Sequence, residues 1–290
     1  MTFFSIFIAL LIERLAPQFS ELRQFQWLRD YSQWLKDVLH SDRLGGWLAF
    51  SIVMLPLMMI AWMLSAMFDN ALFGLFELAF GVVVVFFCLG PKIMDGQVDG
   101  YLDAIELDDI QRRAQLASQL TQETPVQELT GQSGQAEQVS KGIFVEANTR
   151  IYAILFWFAL LGPVAAVMYR LIEQFLRAKI LDDTLTQSRQ MVRTCLGLLD
   201  WLPARISLFT FMLSGSFEEA LQAYRRGTVS ATDLYEQNQE LLKNVGYQSI
   251  TAHAVEDKVQ AIAVVRKSRG LVLRSLVIWL LIVLIIGATS

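Results

Sequence analysis

The chain has 290 residues, 54% of them hydrophobic and 18% charged, with a formal net charge of −4. Such an apolar excess lies outside the usual composition of a soluble domain, and with a slightly acidic balance no nucleic-acid partner is expected. Two cysteines and two histidines leave no metal-ligand spacing.

In chain order, residues 3–12 form an apolar run closed by Glu13 and Arg14. It has no basic residue ahead of it and no small-residue cleavage site, so it is expected to be retained. Its length suits a short span and an interfacial helix equally. Residues 18–46 place Phe25, Leu28, Trp34, Leu35, Val38 and Leu39 at helical spacing between charges, which predicts an amphipathic surface helix and completes a first segment over 1–46. Residues 47–68 are uncharged and residues 72–90 carry only Glu77. With Asp69-Asn70-Ala71 between them, they predict a transmembrane hairpin over 47–90 whose flanks share one side of the bilayer.

Residues 91–150 are then expected to be a cytoplasmic helical loop. Within them, 98–120 predicts helix, turn, helix with Asp108 as the second N-cap. Residues 121–141, rich in Gln, Ser, Thr and Gly, predict a loop. Residues 150–170 carry the clearest bilayer signature, an uncharged run bracketed by Arg150 and Arg170, with Tyr152, Trp157 and Tyr169 where amphipathic rings favour the interface. They predict a transmembrane helix over 151–172 with a break at Gly162-Pro163.

Residues 173–270 are expected to be helical, with a membrane-associated broken helix over 195–215, because Asp200, Pro203 and Arg205 interrupt an otherwise apolar run. Further helices are expected around residues 217–224 and over 231–243, the latter capped by Ser230 or Thr232. A last transmembrane helix is predicted within 271–290, and Arg266, Lys267, Arg269 and Arg274 put its start in the cytoplasm. The side of the membrane on which 173–196 lie stays open. No period-two pattern of any length occurs, so the fold class is all-α: a polytopic helical membrane protein with amphipathic and soluble helical segments between its spans.

Cys88 and Cys195 sit in apolar context far apart, and His40 and His253 are distant from both, so no cofactor or metal is expected. Phosphate-loop and dinucleotide motifs are missing. The chemistry therefore rests on charges at membrane depth. Arg150, Arg170, Arg177 and Arg205 are candidates for an anionic ligand, against the alternative of snorkelling to headgroups. Glu77 is the acid inside a span, where it either functions or reaches the interface. Asp200 and Arg205 could satisfy each other at the Pro203 break as a structural ion pair or line a cavity there. A ligand pocket built from Arg150, Trp157, Arg170, Asp200, Arg205 and Glu77 is the expectation, with no catalytic residue assigned.

Residues 156–170 (FWFALLGPVAAVMYR) and 199–205 (LDWLPAR) closely resemble the signature stretches of the AmpE family, which is related to the CobD/CbiB family of cobalamin biosynthesis. The likeness extends to 11–14 (LIER), 101–109, 146–150 (EANTR) and 217–220 (FEEA). It implies a bacterial inner-membrane sensor or signalling modulator in β-lactamase regulation and peptidoglycan recycling. It also implies a functional link to the AmpD amidase and to muropeptides, beside contact with membrane lipid. The CobD/CbiB relatives imply an alternative: an enzyme that joins an aminopropanol unit to a corrinoid carboxylate using ATP. The run Asp95, Asp99, Asp103, Glu106, Asp108 and Asp109 reads most simply as a solvated helix face, and the polar motif of that family before the last span is missing, so the reading is non-catalytic. A scaffold for a protein partner is the third possibility.

A cysteine placed at Ser133 tests the topology. It is expected to react with thiol reagents only after the membrane is permeabilised; labelling from the periplasm would overturn the cytoplasmic placement of residues 91–150.

Overall fold

A chain in hydrocarbon must satisfy its backbone polar groups internally, which leaves the apolar runs of this sequence, poor in alternating patterns, little choice but helix. The computed structural model describes residues 2–15, 30–31, 46–68, 75–121, 132–177, 186–227, 231–250 and 257–289, and no strand occurs among them. The helices are α1 (Thr2–Leu15), α2 (Gly46–Phe68), α3 (Leu75–Cys88), α4 (Pro91–Glu106), α5 (Ile110–Thr121) and α6 (Gln132–Ala147). A π-helical segment, Asn148–Tyr152, joins α6 to α7 (Ala153–Leu161), followed by α8 (Pro163–Arg177), α9 (Thr186–Ser214), α10 (Phe217–Arg226), α11 (Leu234–Ser249) and α12 (Lys258–Thr289). Among the described residues, three stretches are long and apolar enough to cross a membrane, Gly134–Leu161, Arg189–Ser214 and Lys258–Ile286. The protein is an all-α membrane protein.

The chain divides into two units, one holding Met1–Leu89, Ala153–Leu199 and Val283–Ser290, the other Gly90–Tyr152 and Asp200–Ile282. In the first, α1 packs on α3, and α2 and α3 pack on each other and on α8. The Ser5 hydroxyl donates to the Leu78 carbonyl at 3.4 Å. A Cβ on Gly81 would lie 2.8 Å from Ser5 Oγ, so glycine is what permits this approach. On α2, Leu55, Met59, Trp62 and Met63 are each more than 60% exposed, an apolar surface suited to lipid rather than water.

The Gly162-Pro163 pair ends one helix and starts another. Gly162 adopts φ +80°, the left-handed conformation that closes a helix without a Cβ penalty. Pro163 then opens α8 at a position where its missing N–H costs nothing, and α8 packs back on α7. The long apolar helix is thus Gly134–Leu161 rather than the 151–172 expected from the sequence. The polar lead-in before Arg150 continues as helix, and the residues after Gly162 turn away.

In the second unit, α4 and α5 pack as a helical hairpin, and α6 packs on α5, α4 and α11. The N-cap of α5 is Asp109, whose carboxylate accepts from the Arg112 amide at 3.0 Å, one residue later than expected. Asp108 instead takes the left-handed turn at φ 54°, a conformation that aspartate tolerates. Helix α6 begins at Gln132, so residues 132–141, expected as loop, are helical. Further along, a Cβ on Gly142 would lie 2.5 Å from the Leu120 carbonyl oxygen, and one on Gly246 would lie 2.4 Å from Phe144 Cγ. Both are positions of close helix approach. Asp233, rather than Ser230 or Thr232, caps α11 by accepting from the Glu236 amide at 2.8 Å, while the Glu236 carboxylate returns to Thr232.

Helix α9 runs unbroken through Pro203, in contrast to the break expected there. A proline at 203 removes the amide that would bond the carbonyl of residue 199. The Trp157 indole Nε1 donates to that Leu199 carbonyl at 3.3 Å and satisfies it from α7. Helix α12 begins at Lys258, well before the expected span. Its Arg266 pairs with Glu106, and Arg269 pairs with Asp95 and Asp99 at 3.1 and 2.5 Å. The acidic run on α4 is therefore an ion-pairing face for α12. Leu273, Val277, Leu281 and Ile285 form an exposed apolar stripe on α12, and Ser268, Val272, Ser275 and Trp279 are buried on another face. The surface helix expected over 18–46 lies outside the described residues apart from 30, 31 and 46.

Gly246→Ala is expected to cost about 1–3 kcal/mol by forcing α11 off α6, read as a lowered midpoint of helix loss in detergent. Gly96→Ala, an exposed position inside α4 where a Cβ meets nothing within 4 Å, is expected to raise the midpoint slightly, through about 0.5–1 kcal/mol of helix propensity.

Candidate functional site: a buried polar cluster at the π segment

Glu146-Ala147-Asn148-Thr149-Arg150 feeds polar side chains into an apolar helix. Glu146 and Asn148 are fully buried, and Thr149 and Arg150 are no more than 5% exposed. Such groups are costly in an apolar interior unless each is bonded. Arg150 ion-pairs through Nε with the Glu146 carboxylate one turn earlier, a favourable order for an i, i+4 pair. Its Nη1 donates to Gln97 Oε1 at 3.2 Å, and its carbonyl accepts from the Gly90 amide at 3.2 Å. One residue thus ties the start of α4 to the π segment.

Asn148 bridges to α9. Its carboxamide nitrogen donates to Asp200 Oδ1 at 3.4 Å, and its oxygen accepts from the Ser207 hydroxyl at 2.9 Å. Asp200 and Ser207 lie two turns apart on one face of α9, so the amide fits between them. The Tyr152 hydroxyl closes the segment, donating to the Val272 carbonyl at 2.9 Å and sharing a 2.5 Å bond with Ser275 Oγ. Its ring stacks on Trp279 with centroids 5.4 Å apart. A π turn inserts one residue and shifts the helical phase, a feature that recurs at functional sites. Here it lets side chains four apart address different helices.

Arg205, half-buried on α9, hydrogen-bonds the buried Asn238 of α11 and sits 5.3 Å over the Trp201 ring. Asp200 and Arg205 therefore have separate partners, Asn148 and Asn238. Of the six residues expected to form one pocket, Arg150, Asp200 and Arg205 belong to this unit. Trp157, Arg170 and Glu77 belong to the other unit, each with a local partner or position. Trp157 repairs the Pro203 gap. Arg170 bonds the Glu173 carboxylate at 2.9 Å, which Gln174 and Arg177 also reach at 2.9 and 2.5 Å. Glu77 is exposed in the first turn of α3, where a carboxylate favours the positive helix end. Gln97, Ser207 and Asn238 were not singled out from sequence, and Glu146 and Asn148 were noted only within the 146–150 stretch that carries the family likeness. The one available signal was the dense polar pentapeptide leading into an uncharged run.

Among the described residues no three His, Cys, Asp or Glu side chains gather to hold a metal ion. Outside the apolar spans, burial pushes the Tyr101 phenol up although Arg113 opposes it. Burial, reinforced by Glu137, pushes Tyr247 up to about 12. Both stay neutral at physiological pH. What the cluster can do is exchange hydrogen bonds: a carboxamide between an acid and a hydroxyl both donates and accepts, so a ligand offering either kind of group can enter the network.

Removing one partner of the Glu146–Arg150 pair leaves a buried charge exposed to a low dielectric. Glu146→Leu is expected to cost roughly 3 kcal/mol or more. The double variant Glu146→Leu/Arg150→Met should recover much of that, a non-additivity that denaturation of the four proteins in detergent measures.

The family model described as regulatory signalling modulator protein AmpE matches residues 1–289. Two curated proteins described as cobalamin biosynthesis protein CobD are also similar. That of Chromobacterium violaceum is 24% identical over 194 residues, covering 63% of this chain and 56% of its own length. That of Stutzerimonas stutzeri is 25% identical over 192 residues, covering 63% of this chain and 58% of its own. The aligned part thus spans little more than half the length of these relatives. No solved structure matches the chain. The match over residues 1–289, on a chain whose described residues are all-α and include three apolar helices long enough to span a bilayer, places this protein in the AmpE family.

Proposed function

We propose that this chain is a multi-pass protein of the bacterial inner membrane that modulates β-lactamase regulation in response to peptidoglycan recycling, without catalysing a reaction. In this reading a muropeptide, of the kind handled by the AmpD amidase, is sensed through the polar cluster around Asn148, Asp200 and Arg205, with membrane lipid as the surrounding solvent. Membership of the signalling-modulator family supports the role. The observation that carries the site is the Asn148 carboxamide held between Asp200 and Ser207 in the most enclosed of the three apolar helices, 89% buried. A buried network of this kind is stable only when fully bonded. A ligand that competes for one of its groups therefore favours a different side-chain arrangement, and a difference in affinity between two arrangements is what signalling requires.

A second reading is supported by the CobD similarity: a membrane enzyme acting on an amphipathic substrate on the same scaffold. Fold-level likeness does not transfer an activity, and several acids that such a reaction would call on, Asp95, Asp99 and Glu106 of α4 and Asp108 of the following turn, are engaged with α12 cations.

The test uses a host with an inducible β-lactamase whose own copy of this gene is deleted. Asp200→Asn and Arg205→Ala are each expected to abolish the modulation that the wild-type gene restores, at equal amounts of membrane-inserted protein. Unaltered induction with both variants would sink the sensor-site reading.

A further inference from the structure

Helix α12 carries its cations on more than one face. Lys258, Arg266 and Arg269 are matched with Asp108, Glu106, Asp95 and Asp99. Lys267 and Arg274 meet no carboxylate among the described residues; the one bond of Arg274 is from Nε to the Gly270 carbonyl of its own helix, at 3.3 Å. These two residues lie two turns apart, about 10 Å along the axis, and both line an open cleft of about 290 Å³ whose other walls are Ser214, Gly215, Ser216, Ser249 and Ile250. Three hydroxyls and two cations therefore surround a space with one sizeable apolar side chain.

Those hydroxyls are not equally committed. Ser249 Oγ donates to the Val245 carbonyl at 2.8 Å. The Ser214 hydroxyl is buried without a hydrogen-bond partner, and the Ser216 hydroxyl makes no capping bond although Ser216 occupies the N-cap of α10. The Ser216 amide is spent on the Ser249 carbonyl at 2.8 Å, which fixes the floor where α9, α10 and α11 meet. Ser216, on the cleft wall, is the residue from which the ten-residue α10 starts. The acids of its first turn, Glu218 and Glu219, are exposed and do not line the cleft.

We infer that this cleft binds a phosphate ester, with Lys267 and Arg274 clamping the phosphate oxygens and the Ser216 hydroxyl donating to them. Guanidinium and ammonium donors give charge-assisted bonds to phosphate, and hydroxyls complete its acceptor shell. The volume accommodates a phosphate with a small polyol attached. Its position, at the start of the apolar stripe that begins at Leu273 on α12, is reached by a lipid headgroup and by a soluble phosphate ester alike. The site shares no residue with the Asn148 cluster and stands whether or not that cluster senses a ligand.

The full-length protein is examined in two arms. In one, it is reconstituted in phosphatidylcholine nanodiscs doped with phosphatidylglycerol, and native mass spectrometry reads the anionic lipid retained on release. In the other, it is titrated in neutral detergent with glycerol 3-phosphate and followed by calorimetry. Wild type is expected to bind in at least one arm; lipid retention assigns a headgroup and calorimetric binding a soluble ester. Lys267→Gln/Arg274→Gln should weaken that binding about tenfold or more, the loss of roughly one charge-assisted bond. Lys258→Gln/Arg266→Gln, which removes the same charge outside the cleft, should leave it unchanged. Ser214→Leu fills the cleft without changing charge and should weaken binding as the double variant does, which keeps the test decisive if that variant fails to fold. No binding in either arm, or equal loss in the charge-matched control, would overturn the assignment.

Discussion

The cost of leaving polar groups unbonded inside an apolar helix shapes this structure, and the π segment at Asn148–Tyr152 is where most of them are gathered and bonded. In a regular α-helix, side chains four apart share a face. The wider turn breaks that relation, so Asn148 reaches Asp200 and Ser207 on α9 while Tyr152 reaches Val272 and Ser275 on α12. Two long helices are thereby bonded to successive turns of a third. Arg150, between them, carries its own counterion in Glu146 and adds Gln97 of α4. The polar density of this pentapeptide is what makes it a candidate for function, because each bond it makes is one that a ligand can contest.

Elsewhere the apolar segments contain backbone exceptions, and each is answered by a specific device. Pro203 leaves a carbonyl without its amide, and the Trp157 indole supplies the missing donor. The pair Gly162-Pro163 turns the chain at the cost of one left-handed residue that only glycine takes without strain. Close helix approach at Gly142 and Gly246 relies on the absence of a side chain. These are local solutions, yet together they decide where the long helices end and what they touch.

Charge is handled by pairing in layers. Deep pairs such as Glu146–Arg150 and Arg170–Glu173 are enclosed, so their desolvation is offset only by short direct contacts. Outer pairs between α4 and α12 are partly exposed and contribute little individually, but several in register bias how the two helices slide. Against that ladder, the two cations in the serine-lined cleft stand out by their lack of an acidic partner among the described residues. The chain thus carries two chemically different polar features, one a buried hydrogen-bonded cluster and the other an open, cationic cleft.

By itself the sequence determined that the chain is helical and membrane-embedded, and it pointed to the family through residues 156–170 and 199–205. These properties follow from apolar run length, missing alternation and local residue order, all of which are written along the chain. It also placed Arg150, Asp200 and Arg205 among the candidates, because charges in apolar runs are conspicuous. What it left undecided was every partner. Asn148, Ser207 and Gln97 are ordinary polar residues until folding brings α4, the π segment and α9 together, and Pro203 reads as a break until a tryptophan 46 residues earlier in the sequence supplies its missing hydrogen bond. Tertiary structure decided these because hydrogen-bond satisfaction in an apolar interior is a relation between segments, and no segment carries it alone.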